Sequence, residues 1–315
     1  MAADDSVAGR TAFSVVICTR DRPWLLELCI RAVKETADRP VEVVVVDSAP
    51  SDDRARQVAL RQGVRYLREQ RPGLSRARNA GARAALGELV AFIDDDARPV
   101  DNWPWAFAPA FTDPRVGAVT GQVLPPGLDL QVEHLLTVTG GYPRGNEPFS
   151  VTKTDPGWFE TAAFGGLGIA NMAFRRCVFD EWRGFDERLG RGAAIDGGEE
   201  HYAFVQLIDR GYTVSYTPLA KVLHPYGRTW TQARARYIRD RSAAAAYFMF
   251  LLAERPGNRA DVMRHIVKIA RGNVAKLRDS SGRRRIVPPG RKLLALAGGA
   301  LLFIRYLRYP PEDGG

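Results

Sequence analysis

The chain is poor in cysteine. Cys18, Cys29 and Cys177 are odd in number, scattered and without paired spacing, which excludes a disulfide framework and a cysteine-ligated zinc site and fits a reducing compartment. Membrane-length apolar runs are also missing. The C-terminal stretch Leu293 to Ile304 has 12 residues, about 18 Å as a helix against roughly 30 Å of hydrocarbon, so it cannot span a bilayer. Met1 to Arg10 is acidic and polar, without the cationic start and apolar centre of a secretion signal, and a cytoplasmic location is expected. No recognised nucleic-acid motif or aromatic-studded basic strand occurs, so a nucleic-acid partner is not expected either.

What is present is an ordinary globular composition, 45% hydrophobic and 26% charged over 315 residues, enough for one large domain or a domain with a helical extension. The net charge of +9 is unevenly placed. Between Arg228 and Arg308 stand nineteen Lys/Arg and four Asp/Glu, a local net of +15 that leaves the rest of the chain at −6.

The first hundred residues alternate between two periods. Phe13 to Cys18 is a compact apolar run, broken by Thr19 to Pro23 before a helical pattern with Leu25, Leu26, Cys29 and Val33 on one face. Val41 to Val46 reads as a strand buried on both faces and stops at Asp47. A helix over 53–62, a strand over 64–67, a helix over 74–86 and a strand over 88–93 continue the series. Such βα alternation predicts a doubly wound parallel sheet whose ligands bind beyond the carboxyl ends of the strands. Thr19, Asp47 and Asp94 to Asp96 all fall at such ends, so three polar clusters distant in sequence are expected on one edge.

The last of these clusters organises the rest. Gly87 to Pro99 (GELVAFIDDDARP) is an apolar strand ending in three carboxylates. Side chains alternate along extended backbone, so Asp94 and Asp96 face one way and Asp95 the other. Three adjacent anions need a positive partner, and hard oxygen ligands at the mouth of a sheet suit Mg²⁺ or Mn²⁺. A solvated acidic turn is the alternative for this stretch alone.

After Pro99 the pattern loosens. A helix is expected over 103–111, a strand at Val116 to Val123 and loops to about Gly157. Phe164 to Arg176 (FGGLGIANMAFRR) carries small residues that allow close backbone approach, or simply a tight turn before a strand. Gly197-Gly198-Glu199-Glu200-His201-Tyr202 opens a helix running to Gly211. Carboxylates in a first helical turn meet the positive end of the dipole, which serves capping and also keeps a base ionised.

In this order the chain resembles the inverting glycosyltransferases of family 2, nucleotide-sugar-dependent enzymes with the GT-A fold. The matching pieces are SVVICTRDRP (14–23), VVVVDSAPSDD (43–53), GLSRARNAG (73–81), GELVAFIDDDARP (87–99), GIANMAFRR (168–176), GFDERLG (184–190), GGEEHYAFVQLIDRGY (197–212) and KVLH (221–224). Each is weak alone; eight in the right order are specific. The resemblance implies that Thr19 and Arg20 line the nucleotide site, that Asp47 hydrogen-bonds the base, favouring UDP- or dTDP-sugars, and that Arg78 meets phosphate. It places Asp94 and Asp95 with the ribose and sugar, gives Asp96 and His224 to the metal, and makes Glu200 the catalytic base, with Glu199 as substitute. The family usually reads Glu-Asp where this chain has Glu199-Glu200, and Tyr202 and Gln206 replace a commonly acidic residue and a common Arg, so the acceptor side departs from the pattern.

The implied reaction is inverting, metal-dependent, non-processive sugar transfer to a hydroxyl on a glycan, a lipid-linked molecule or a small molecule. A nucleotidyltransferase and a non-catalytic sugar-binding module are the alternatives. The Gln-x-x-Arg-Trp signature of processive synthases is absent. Residues 1–11 are read as a flexible N-terminus, 12–226 as the catalytic domain, with a nucleotide-sugar half to about 100 and an acceptor half beyond it, 227–309 as a basic helical region and 310–315 as a tail. The cationic flanks of the last apolar stretch suit anionic headgroups at the inner face of the plasma membrane, through 283–309. Packing on the catalytic domain, or pairing with a second copy, is the other use of these helices.

Overall fold

The computed structural model describes residues 13–127, 144–225, 229–278 and 289–308. The expected flexible N-terminus, the Arg283 to Arg285 cluster and the 310–315 tail lie outside the described residues. Among those described, nine strands form one sheet: β1 (Phe13–Thr19), β2 (Glu42–Ser48), β3 (Arg65–Glu69), β4 (Leu89–Asp94), β5 (Arg98–Val100), β6 (Val116–Leu124), β7 (Phe149–Val151), β8 (Asn171–Arg175) and β9 (Thr213–Leu223), in the order β3-β2-β1-β4-β8-β6-β9-β5, with β7 paired to β9.

The first four strands are parallel, as the alternation predicts. Their side chains split cleanly between two cores. Val16, Cys18, Val44, Val46, Val90 and Phe92 enter one, while Phe13, Val15, Ile17, Val43, Val45 and Ile93 enter the other. The second face is covered by α1 (Pro23–Thr36) and α2 (Arg54–Arg61), the first by α3 (Leu74–Ala84). Pro23 fits α1 because the first turn needs no N–H from it. The buried stripe of α1 is Leu26, Cys29, Ile30 and Val33, with Leu25 only half-buried.

Beyond β4 the sheet, expected to be mostly parallel, becomes mixed. β8 runs antiparallel to both β4 and β6, and β9 is parallel to β6 but antiparallel to β5 and β7. The physical reason lies in where β8 begins. Asn171, its first residue, pairs with Ile93 near the carboxyl end of β4, so a strand entering there can only run back down the sheet. The buried Asn171 side chain then ties this junction together, donating to Gln122 O and Ala220 O and accepting from Trp103 Nε1.

One local expectation also shifts. The 103–111 helix is a 3₁₀ helix, Pro104–Thr112, because Pro109 inside it has no N–H to give an α-helical ladder. Thr213–Leu223 forms one strand, β9, with a register break between Thr217 and Lys221 that accommodates Pro218.

Four further helices come after β7: α4 (Trp158–Ala163), α5 (Val178–Trp182), α6 (Glu199–Asp209) and α7 (Trp230–Glu254). They are followed by α8 (Arg259–Arg278) and α9 (Pro289–Leu307). These C-terminal helices share the core of the sheet: Ala246, Tyr247, Phe250, Leu251, Val262 and Tyr306 belong to the same buried cluster as Phe174 and Phe204. Arg188 joins Asp186 to Glu254 of α7, at 3.1 Å from the latter, and lies over the rings of Phe250 and Tyr306, while the Tyr306 hydroxyl donates to Glu254. No helix among the described residues is long and apolar enough to cross a membrane.

Candidate active site

Parallel register brings the strand ends together. Cys18 pairs with Asp94 and Thr19 with Asp47, so the loops after β1, β2 and β4 open on the same edge of the sheet. There a cavity of about 310 Å³ is lined by Thr19, Arg20, Ser48, Asp94, Asp96 and His224, among others. A second cavity, of about 360 Å³, is lined by Glu199, Glu200, Arg78 and Asp94. Asp94 fronts both, together with Leu74, Arg191 and Arg236.

The first cavity holds a compact donor set. Asp94, Asp96 and His224 each offer one ligand atom, all within 4.8 Å of one another. The His224 Nε2 lies 3.3 Å from Asp94 Oδ2 and 3.3 Å from Asp96 Oδ1, and its ring is held by the β9 terminus, where His224 N donates to Leu124 O. Burial works against ionisation of both aspartates, and the His224 imidazole works for it. Arg78 adds to the effect at Asp94 and Arg22 at Asp96, so both carboxyls lie below the usual range. Two ionised carboxylates and an imidazole fit a divalent cation of the Mg²⁺ or Mn²⁺ kind.

Asp95 requires a correction. It faces away from the cavity, fully buried, where Thr19 Oγ1 donates to it at 2.6 Å and Arg22 pairs with it at 2.7 Å. Burial pushes its carboxyl up to about 7. The pleat that turns Asp94 and Asp96 outward turns Asp95 inward, so it braces the loop of Thr19 and Arg22 and lines neither cavity. Asp47 is likewise buried at the end of β2, with burial pushing it up to about 6; Tyr66 donates to one of its oxygens at 3.0 Å and the other has no hydrogen-bond partner. Ser48 beside it lines the first cavity.

The second cavity contains the glutamate pair. Arg78, 2% exposed, donates to Glu199 Oε1 at 3.0 Å and to Glu200 Oε1 at 2.8 Å, and lies 3.6 Å from Asp94. Its one cation is thus spent on three carboxylates. Glu200 also accepts from Ala170 N at 3.1 Å, and Ala170 adopts φ +62, a strained conformation for alanine, in presenting that N–H. Burial, then the charge of Glu200, pushes Glu199 up to about 7. The turn that starts α6 needs glycine: Gly198 sits at φ +89, and a Cβ there would lie 2.5 Å from the Tyr247 ring of α7.

Three cavity residues gave no signal in sequence. Arg191 reaches the cavity because Ser75 and Asn79 of α3 pin the 184–192 loop: Ser75 Oγ donates to Leu189 O, the Asn79 side chain bonds both N and O of Phe185, and Leu74 N donates to Arg191 O. Arg236 and Arg239 come from α7. Asp196 and Asp240 tie the group together, with Arg191 2.8 Å from Asp196 and 2.5 Å from Asp240, and Arg239 3.8 Å from Asp196. Part of the C-terminal positive charge therefore faces the first cavity.

The Glycosyl transferase family 2 profile matches residues 14–166. These residues form a glycosyltransferase family 2 domain. Among proteins similar to the chain, the glucosyl-dolichyl phosphate glucuronosyltransferase of Haloferax volcanii is 27% identical over 225 residues, 67% of this chain and 68% of that protein. An uncharacterized protein of Mycobacterium tuberculosis is 39% identical over 107 residues, and the match spans 34% of its length. The solved mannosyltransferase PcManGT of Pyrobaculum calidifontis, in complex with GDP-Man and Mn²⁺, matches 98% of this chain and 89% of its own with a TM-score of 0.57 at 18% identity. That likeness gives the family 2 domain the GT-A fold.

Proposed function

We propose that the chain is an inverting, metal-dependent, non-processive glycosyltransferase that moves a sugar from a nucleoside diphosphate donor to a hydroxyl acceptor. One observation carries the reading: Asp94 fronts both cavities, and Arg78 links it within 3.6 Å to the glutamate pair, so a donor and an acceptor would meet across a shared wall. Asp94, Asp96 and His224 would hold Mg²⁺ or Mn²⁺; when bound, the cation neutralises charge appearing on the departing diphosphate. The Mn²⁺ present with the Pyrobaculum mannosyltransferase supports this assignment. Asp47, with an unpaired buried oxygen, is the candidate for the base, UDP or dTDP being favoured.

Arg20, Arg191, Arg236 and Arg239 surround the space for the diphosphate and favour its developing charge. Glu200 is assigned the proton of the acceptor hydroxyl, a role worth about 10²- to 10⁴-fold in rate. Glu199, beside it on Arg78, is the substitute base. Arg78 fixes both carboxylates. A single displacement with one base inverts the anomeric carbon.

The test uses purified protein, Mn²⁺ and a panel of nucleotide sugars. At least one donor should raise the melting temperature and undergo slow hydrolysis. Glu200→Gln should retain nucleotide-sugar binding and lose transfer. If no donor is bound or cleaved, the reading fails.

A second reading concerns place. Exposed Met263 and Val267 of α8 and Leu301, Ile304 and Leu307 of α9 stand among Arg264, Lys268, Arg305 and Arg308, which favours peripheral contact with an anionic membrane surface at the cytoplasmic face. Co-sedimentation with anionic but not neutral vesicles is the expected outcome.

A further inference from the structure

The second cavity changes character along its length. Glu199, Glu200, Arg78 and Asp94 form one part of its lining, while Ala163, Phe164 and Ile169 join Ala244 and Phe248 of α7 and Ile269 of α8 in another, where the Phe164 and Phe248 rings meet edge to face at 5.4 Å. Arg191, Asp196, Arg236 and Asp240, which also line the cavity, are paired with one another, and Arg241 stands one turn before Ala244. The His265 ring stacks on Phe164 with centroids 3.9 Å apart, and its Nδ1 is already within 3.4 Å of Glu160. His201 is half-buried, and the loss of water around its ring pulls its pKa down to about 4, so it stays neutral. A body rich in hydroxyls would leave most of them unpaired here, each at a cost. An alkyl or prenyl body would not.

The helix that forms this wall supplies the second observation. His265 and Ile269 of α8 line the cavity. Met263 and Val267, set about 200° round the helix from them, are 48% and 41% exposed, with Arg264 and Lys268 beside them. One helix is thus apolar toward the cavity and apolar, with cations, toward the outside.

We infer that the acceptor is a lipid-borne hydroxyl: its polar head meets Glu200, and its apolar body lies along the wall formed by Phe164, Ala244, Phe248 and Ile269. This rests on the assignment of Glu200 to the acceptor side and narrows it to a substrate class. A glycan acceptor without an apolar segment would leave that wall unfilled.

Two alkyl glucosides with the same head test it. Methyl and octyl β-glucoside are titrated by calorimetry into the full chain, below the micelle concentration of the longer one. Octyl glucoside should bind at least tenfold more tightly. Ala244→Gln, which puts an amide on the wall, should reduce that preference to under threefold while melting within a few degrees of the parent. Phe248→Ala, which shortens the wall without adding a polar group, provides a second variant and should weaken only the octyl compound. Sedimentation with anionic vesicles then asks for the source, and retention should rise when the vesicles carry a hexadecyl glucoside.

Equal binding of the two glucosides, or a preference untouched by both folded variants, overturns the proposal. A tail preference with no glycoside-dependent retention overturns the lipid source. UDP, dTDP and GDP are titrated with Mn²⁺ in parallel. Their failure to bind would sink the donor reading, whereas the tail preference reports on the acceptor class by itself.

Discussion

Arg78 carries one positive charge among Glu199, Glu200 and Asp94, at 2% exposure. Burying that many carboxylates is tolerable only while the guanidinium stays. Arg78→Met should therefore cost about 3–5 kcal/mol in denaturant melts at pH 7, and lowering the pH to 5 should restore part of the loss as the unpaired carboxyls take up protons. A loss under 1 kcal/mol would mean that water or rearrangement replaces the guanidinium. Asp47 makes a second residue-scale prediction. Its folded pKa of about 6 exceeds the ordinary 3.8, so its contribution is fully present below about pH 4 and declines as the pH rises through 6. Asp47→Asn should remove that decline, worth about 2 kcal/mol between pH 4 and 7 in chemical denaturation.

How much of this was legible beforehand depends on whether the signal was local. The alternation that separates Asp94 and Asp96 from Asp95 follows from strand geometry alone, and the structure has it. The inward turn gives Asp95 a bracing role that a motif cannot disclose, because its partners Thr19 and Arg22 lie more than seventy positions away. Arg191 gave no sign for the same reason. Its position depends on Ser75 and Asn79 of α3 bonding a loop over a hundred residues later.

At the scale of elements, α7 and α6 meet over one glycine. Gly198→Ala forces φ +89 on a residue with a Cβ and drives that carbon into the Tyr247 ring. A loss of about 1–3 kcal/mol is expected, with displacement of the glutamates that follow reducing turnover more than the nucleotide affinity. Along α7, Arg236 and Arg239 line the first cavity. Arg239→Ala should weaken nucleoside diphosphate binding about three- to tenfold, and the loss should shrink in high salt, since Arg239 is exposed and screened. The parallel order of the first four strands was readable from βα alternation. The reversal at β8 was not, since it depends on where the Gly-rich segment delivers the chain, and the 3₁₀ character of 104–112 depends on Pro109 overriding an otherwise helical apolar pattern.

For the molecule as a whole, the C-terminal charge proves to have more than one address. Composition placed +15 between residues 228 and 308, yet gave no hint that α7 turns part of it inward while Arg188, Glu254 and Tyr306 clamp α9 onto the same core. A double-mutant cycle on Arg188→Ala and Glu254→Ala should give a coupling of about 1 kcal/mol or more in thermal melts, because the pair is half-buried and continuous with the Phe250 and Tyr306 rings.

One aspartate forms the party wall between two chambers, and that has a kinetic consequence. Whatever settles against Asp94 in the first cavity alters the surroundings of a group that also fronts the second. Occupancy of either chamber must then shift the affinity of its neighbour by the same factor. Initial-rate plots should intersect rather than run parallel, and product nucleotide should leave only after the sugar has changed hands.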